Sequence, residues 1–239
     1  MHPSTRTLVL TTLLLLPAPS LLAQTGVDPS GHWEGSVQTP TSDVKFEIDL
    51  AKNPKGEIEG TFGQPAQNLK GLSLSNFVVE GKSIRFQIKG APGERLFEGV
   101  LGADGKSMSG DFTQSGYAMS FSMTRTGDPR IETRARSAPI GKELEGTWNG
   151  TLDVDGMQRR LVLTMSNQAE SAVGSIVSVE EGLEIPIATI TQSASSLTLV
   201  VKAIGGTYSG TLNQERTELA GTWTQGPAAL PLTFRLAAK

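Results

Sequence analysis

The chain has 239 residues, with 27 glycines, only 5% aromatic residues and no cysteine. Its net charge of −3 argues against non-specific binding to nucleic acid or to an anionic membrane, because both need an excess of basic side chains. Without disulfides, each folding unit must be stable through its hydrophobic core alone. Many short apolar runs separated by Gly, Asn, Asp and Ser favour antiparallel β structure with tight turns.

The first 23 residues have the pattern of a secretory signal peptide. Arg6 precedes an apolar run at residues 8–16, and small residues then lead to Ala23. The apolar run is too short to span a bilayer comfortably, so we expect cleavage near Ala23. A retained membrane anchor is the alternative. The pattern predicts a secreted or periplasmic bacterial protein with no membrane span after cleavage.

Residues 24–125 form a first repeat, in which we predict eight strands. The first begins at Gly31, and the second carries Phe46, Ile48 and Leu50 in alternation with polar residues. This period of two places one face of the strand on a core. Further runs follow at residues 57–62, 72–79, 84–88, 96–101, 108–113 and 117–124. Asp-Gly at residues 104–105 is typical of a hairpin turn.

Residues 126–143 are polar, contain two prolines and connect this repeat to the next. We predict a solvated linker. The alternatives are a short helix or an anion-contacting patch that carries Arg130, Arg134 and Arg136.

Residues 144–239 form a second repeat. Gly99, Gly110 and Phe112 of the first repeat recur as Gly210, Gly221 and Trp223. Its apolar runs lie at residues 146–150, 161–165, 173–179, 183–190, 197–201, 202–212, 219–225 and 229–236. The repetition predicts a duplicated β domain.

Consecutive short strands with tight turns favour an up-and-down meander, and eight such strands can close into a barrel. We therefore predict an all-β fold of two tandem small antiparallel barrels of about eight strands each. Two β-sandwiches are the alternative.

Each repeat opens with Gly-x-Trp and closes with an arginine on or after its last strand. The pairs are Trp33 with Arg125 and Trp148 with Arg235. This arrangement resembles the signature of the lipocalins and the wider calycin superfamily. The resemblance implies that each tryptophan plugs one end of a barrel and that the arginine packs across its ring. A guanidinium over an indole contributes about 0.5–2 kcal/mol.

The second repeat also resembles the N-terminal accessory β domain of secreted bacterial serine hydrolases of the α/β class. The runs at residues 147–153, 202–212 and 221–232 carry this likeness. Because the sequence stops at Lys239 with no hydrolase domain after the repeat, we expect no hydrolase activity from it.

The sequence shows neither a nucleophile elbow nor a set of histidines suited to catalysis. It contains no Gly-x-Ser-x-Gly nucleophile elbow. His32 is the only histidine after the signal peptide, and its place beside Trp33 on a strand directs it away from the core. We therefore expect no catalytic base, no zinc site and no cofactor, and we predict that the protein is not an enzyme.

Four aromatic residues occupy matching places on the predicted sixth and seventh strands of the two repeats: Phe97, Phe112, Tyr208 and Trp223. They predict either the core of each barrel or the lining of a small apolar pocket. An eight-stranded barrel has an interior that side chains can fill, which favours the core.

We expect a non-catalytic binding or interaction module whose partner is a small apolar ligand or an envelope protein. One alternative is a carrier that holds a small apolar ligand inside a barrel. Another is an accessory part of a serine hydrolase whose catalytic domain is absent here.

Overall fold

A computed structural model of the protein describes residues 27–90, 95–132 and 135–238. The predicted signal peptide lies outside the described residues. Within them the chain is all-β, as predicted, with short 3-10 turns at Pro65–Gln67, Lys142–Leu144 and Lys202–Ile204. None of the helical segments in these ranges has the length and hydropathy needed to cross a membrane.

The first repeat folds into a closed barrel of eight antiparallel strands, which confirms the predicted architecture. Each strand pairs with the next, and β8 pairs with β1 to close the ring. Closure leaves this barrel without a free strand edge. Its strands are β1 (Gly31–Gln38), β2 (Asp43–Lys52), β3 (Ile58–Gln64), β4 (Leu69–Glu80), β5 (Ser83–Ile88), β6 (Leu96–Leu101), β7 (Ser107–Gln114) and β8 (Tyr117–Gly127).

Phenylalanine rings fill the interior of this first barrel. Phe97 lies at the centre and is 1% exposed. Five other rings surround it with centroid distances of 4.6–6.2 Å, those of Phe46, Phe62, Phe86, Phe112 and Phe121. The alternation read from the sequence therefore separates a ring-filled interior from a polar outer face.

The second repeat forms a curled, nine-stranded half-barrel, which we call the second sheet. Its spatial order is β12-β11-β10-β9-β17-β16-β15-β14-β13, so β12 and β13 are the edges. Its strands are β9 (Gly146–Val154), β10 (Met157–Gln168), β11 (Ser171–Ser178), β12 (Leu183–Pro186), β13 (Thr189–Ser193), β14 (Ser196–Val201), β15 (Gly206–Leu212), β16 (Glu218–Gln225) and β17 (Ala228–Leu236).

The ninth strand arises because the single strand predicted over residues 183–190 is two strands. Pro186 has no N–H to donate to a neighbouring strand, so β12 ends there. The Ile187 N–H then donates to Gly174 O at 3.0 Å, on the β11 side. The Ala188 N–H donates to Val200 O at 2.8 Å, on the β14 side. The chain changes partner between these two residues, and the sheet opens at this seam.

The linker closes part of the seam. Ser137 is 6% exposed and forms an isolated antiparallel bridge to Ala172 on β11. Its Oγ accepts a hydrogen bond of 2.8 Å from the Ile190 N–H on β13. Unpaired backbone groups at a buried edge need such partners. This part of the linker is packed, so the prediction of a solvated linker is wrong here.

The core of the second sheet contains Trp148, Tyr208 and Phe234, all fully buried. The rings of Tyr208 and Phe234 meet edge to face with centroids 5.2 Å apart. The Tyr208 hydroxyl donates to Leu219 O at 2.8 Å. Burial raises the pKa of Tyr208, which keeps the hydroxyl protonated as this donor.

Candidate functional site

Trp33 is fully buried near the start of β1. Its Nε1 donates to Pro29 O at 2.9 Å, and the Arg125 guanidinium lies 4.9 Å from the ring centroid. The Arg125 Nη2 also donates to Asp28 O at 2.5 Å. The arginine therefore joins the tryptophan to the segment that leads into β1.

Trp148 is held in the same way in the second sheet, but without an arginine. Its Nε1 donates to Leu144 O at 3.1 Å, again four residues earlier in the chain. Arg235 lies opposite Asn149, and its side chain is 76% exposed and pairs with Glu218 at 3.1 Å. In the first barrel, a register shift next to Trp33 places Arg125 directly opposite the tryptophan. The expected stacking on Trp148 is therefore absent from the described contacts.

The four aromatic candidates for a pocket lie within the two cores. Phe97 and Phe112 belong to the cluster of rings in the first barrel. Tyr208 and Trp223 face each other across β15 and β16, and Trp223 is 4% exposed. None of the four lines either of the two cavities found between the repeats.

The larger cavity is a cleft of about 1100 Å³ between the first barrel and the second sheet, which the linker covers in part. We call it the cleft. The outer faces of β1 to β4 supply its barrel wall, with the ionisable side chains His32, Glu47, Asp49, Glu59 and Lys70. The linker adds Arg130 and Glu132, and the second sheet adds Lys202.

Strand alternation positions this wall. Phe46, Ile48 and Leu50 point into the barrel core, so Glu47 and Asp49 between them point outward. His32 lies directly opposite Asp49 on β1, and its Nδ1 is 2.8 Å from Asp49 Oδ1. Since a carboxylate only accepts hydrogen bonds, Nδ1 carries the proton of this bond.

The linker covers this His–Asp pair. The Arg130 N–H donates to Asp49 Oδ1 at 2.8 Å. His32 is 1% exposed and Asp49 is 8% exposed. His32 points to the outer face of the barrel, as the sequence predicted. It is buried because Arg130 of the linker, 98 positions later, covers the pair. Strand periodicity gives no signal for a contact of this kind. The other ring nitrogen of His32, Nε2, is also buried and makes no hydrogen bond within the described residues. A carboxylate oxygen, Glu34 Oε1, lies 3.4 Å from it.

Separate polar contacts hold the second sheet beside the barrel. Lys89 pairs with Glu184 at 3.5 Å, and Arg95 Nη2 donates to Glu181 O at 3.4 Å. Lys202 of the second sheet pairs with Glu132 of the linker. A second cavity of about 280 Å³ lies between the units near Lys89 and Glu184. These contacts connect the barrel and the linker to the second sheet.

Asp49→Ala is expected to release the linker, because it removes the acceptor of the Arg130 N–H and of His32. Trypsin should then cut faster after Arg130 and Arg136, which are exposed linker residues. Limited proteolysis under native conditions measures the rate. Asp43→Ala, an exposed change on the same strand, is the control. Equal cleavage rates in the two variants would contradict the role of Asp49.

No protein-family model and no functionally curated protein matches the chain. Among solved structures, it is similar to a "putative outer membrane protein" from Bacteroides fragilis, with 12% identity and a TM-score of 0.28 over 86% of this chain and 95% of that one. It is also similar to a protein of unknown function from the DUF3598 family of Nostoc punctiforme, with 13% identity and a TM-score of 0.22 over 88% of this chain and 94% of that one. Neither is described as a lipocalin or a hydrolase. TM-scores this low identify no family and assign no function to this chain.

Proposed function

We propose that the protein is a non-catalytic binding module of the bacterial envelope, and that its ligand occupies the cleft. The observation that carries this proposal is the contrast between a filled barrel and an open cleft. Phe97 and the five rings around it occupy the barrel interior. The cleft has a volume of about 1100 Å³, while ligand sites commonly measure about 300–1,000 Å³.

The filled interior also weighs against a carrier that holds an apolar ligand inside the first barrel. Such a carrier needs empty space lined by apolar side chains, whereas protein cores are packed about as densely as organic crystals. In the cleft, by contrast, both walls and the linker contribute charged groups. The chemistry of the cleft fits a polar ligand.

The state of His32 supports a role without catalysis. A general base must lie within hydrogen-bond reach of the proton that it removes. Nδ1 of His32 is occupied by Asp49, and Nε2 is buried beside Glu34. The sequence also lacks a nucleophile elbow. The His–Asp pair serves to hold the linker.

The envelope location rests on the signal-peptide pattern of residues 1–23. Export would bring the protein to solutes and proteins of the periplasm or the exterior. Fractionation of the native host should place the protein outside the cytoplasm with the leader removed.

Native mass spectrometry of protein purified from its host tests the binding proposal. Ala188 is half-buried and lines the cleft, so Ala188→Trp should block it. The wild-type protein should carry a small co-purifying mass, and Ala188→Trp should lose it. Ala118→Trp, on the exposed face of β8, is the matched control and should keep it.

Melting temperatures of both variants establish that they are folded. A small mass that persists in folded Ala188→Trp would contradict binding in the cleft. A wild-type protein that carries only another protein, and no small molecule, would favour an interaction module instead.

A further inference from the structure

One nitrogen of the buried His32 ring has no bonding partner. Nδ1 donates to Asp49 Oδ1 at 2.8 Å, so the neutral ring presents only a lone pair at Nε2. Nε2 is buried, makes no hydrogen bond within the described residues, and faces another acceptor, Glu34 Oε1, at 3.4 Å. Two acceptors do not bond without a proton or a cation between them, and an unsatisfied buried atom destabilises the arrangement that contains it.

A second proton on the ring would satisfy both acceptors. Histidine is the side chain whose charge ordinarily changes between about pH 5 and pH 8. In the charged ring, Nδ1 would donate to Asp49 and Nε2 to Glu34, in charge-assisted hydrogen bonds. No group of three or more His, Cys, Asp or Glu side chains among the described residues could hold a metal ion. A proton is therefore the cation that fits between Nε2 and Glu34.

The groups next to the ring nitrogens are both carboxylates, that of Glu34 on β1 and that of Asp49 on β2. Gly127 of β8 lies opposite His32 and carries no charge, and Asp128 after it is exposed. Arg130 of the linker turns its backbone N–H to Asp49 and is itself exposed. The other charged side chains that line the cleft are Glu47, Glu59, Lys70, Glu132 and Lys202. A buried charge needs paired acceptors, and a charged His32 would have one at each nitrogen.

We propose that His32 is a proton-dependent latch for the linker, closed when Nε2 is protonated and bonded to Glu34 and weakened when Nε2 is bare. Asp49 transmits the state of the ring, because its Oδ1 binds both His32 Nδ1 and the Arg130 N–H. Lifting the linker lets water reach Nε2, which satisfies the neutral ring, whereas the charged ring already has its partners. Acid therefore favours the closed linker, and alkali favours its release. The latch itself needs no ligand, while its control of access to the cleft rests on the proposed function.

Trypsin cleavage after Arg130 and Arg136 measures the latch. The rates are compared at about pH 5.5 and about pH 8 in metal-free buffer. Each rate is divided by that of Asp49→Ala, in which the linker is released at either pH, so that the pH dependence of trypsin cancels. We expect this ratio to rise about threefold or more in the wild-type protein from the acidic to the alkaline pH. An equal ratio at the two pH values would overturn the proposal.

Glu34→Gln tests the partner of Nε2. Glutamine keeps the size of the side chain, and its amide N–H can donate to the neutral ring, so we expect slow cleavage at both pH values. Glu98→Gln is the matched control, since Glu98 is exposed on β6 and pairs with Arg85 outside the cleft. This control should keep the pH dependence of the wild type. The same pH dependence in Glu34→Gln would show that Glu34 does not operate the latch.

NMR of the His32 ring gives a measurement that does not depend on Asp49→Ala. The chain has two histidines, so a His2→Ala variant leaves His32 as the only imidazole. The chemical shifts of the two ring nitrogens report which of them carries a proton. We expect a proton on Nδ1 alone near pH 8 and on both nitrogens near about pH 5.5. An Nε2 that stays bare across this range would contradict the latch.

Added zinc distinguishes a proton from a metal ion. If zinc slows cleavage of the linker near pH 8 and acid alone does not, the His32–Glu34 pair binds a metal and the proton latch is wrong. The binding proposal is tested separately by the mass that co-purifies with the protein. If that mass is lost in Ala188→Trp while the latch fails, the cleft remains the binding site without this control. If the latch holds and no mass is found, the linker responds to pH without a ligand.

Discussion

Replacing Trp33 or Trp148 by alanine is expected to lower the free energy of unfolding by about 3–5 kcal/mol, as large aromatic truncations in cores do. Both rings are fully buried, and each donates its Nε1 to a carbonyl four residues earlier. The loss therefore combines a cavity with an unpaired backbone acceptor. Urea denaturation followed by circular dichroism measures it.

The two sites should differ in their dependence on arginine. Arg125 lies over Trp33, so we expect a coupling energy of about 0.5–2 kcal/mol between Arg125→Leu and Trp33→Ala in a double-mutant cycle. Arg235 is exposed, and Arg235→Leu should show no coupling to Trp148→Ala. Coupling of equal size at both sites would contradict the difference in register, and an unchanged stability in Trp148→Ala would refute its role as a plug.

Strand alternation predicted most of what local sequence can specify. It separated the inner residues Phe46, Ile48 and Leu50 from the outer residues Glu47 and Asp49, and both faces are as expected. This succeeded because side-chain direction in a strand follows from the backbone alone, with a period of two. It placed Glu47 and Asp49 on the outer face of the barrel without showing that the linker covers Asp49.

Features that depend on distant partners were beyond such reasoning. His32 is buried because Arg130, on the linker, reaches Asp49. The stacking of Arg125 depends on a register shift at Trp33 that a tripeptide motif does not encode. The seam at Pro186 was also missed, because residues 183–190 were predicted as one strand, although a proline inside an apolar run is a local signal that a strand ends.

Phe97 contacts five other aromatic rings in the interior of the first barrel. We expect Phe97→Ala to lower the free energy of unfolding by about 3–5 kcal/mol, because five neighbouring rings lose contacts and a cavity remains. Phe112→Ala should cost less, since Phe112 is 8% exposed and contacts one ring of the cluster, that of Phe97. Chemical denaturation of both variants gives the ranking.

The same variant tests which space in the protein is available to a ligand. An apolar cavity of this kind stays dry and can take up benzene. Phe97→Ala should therefore be stabilised by benzene, whereas the wild-type protein should not respond, because its interior is already filled. A wild-type melting temperature that rises with benzene would show an accessible apolar interior and favour the carrier over the cleft. An unresponsive wild type beside a responsive Phe97→Ala variant would mean that the side chain of Phe97 occupies the place where a barrel ligand would bind.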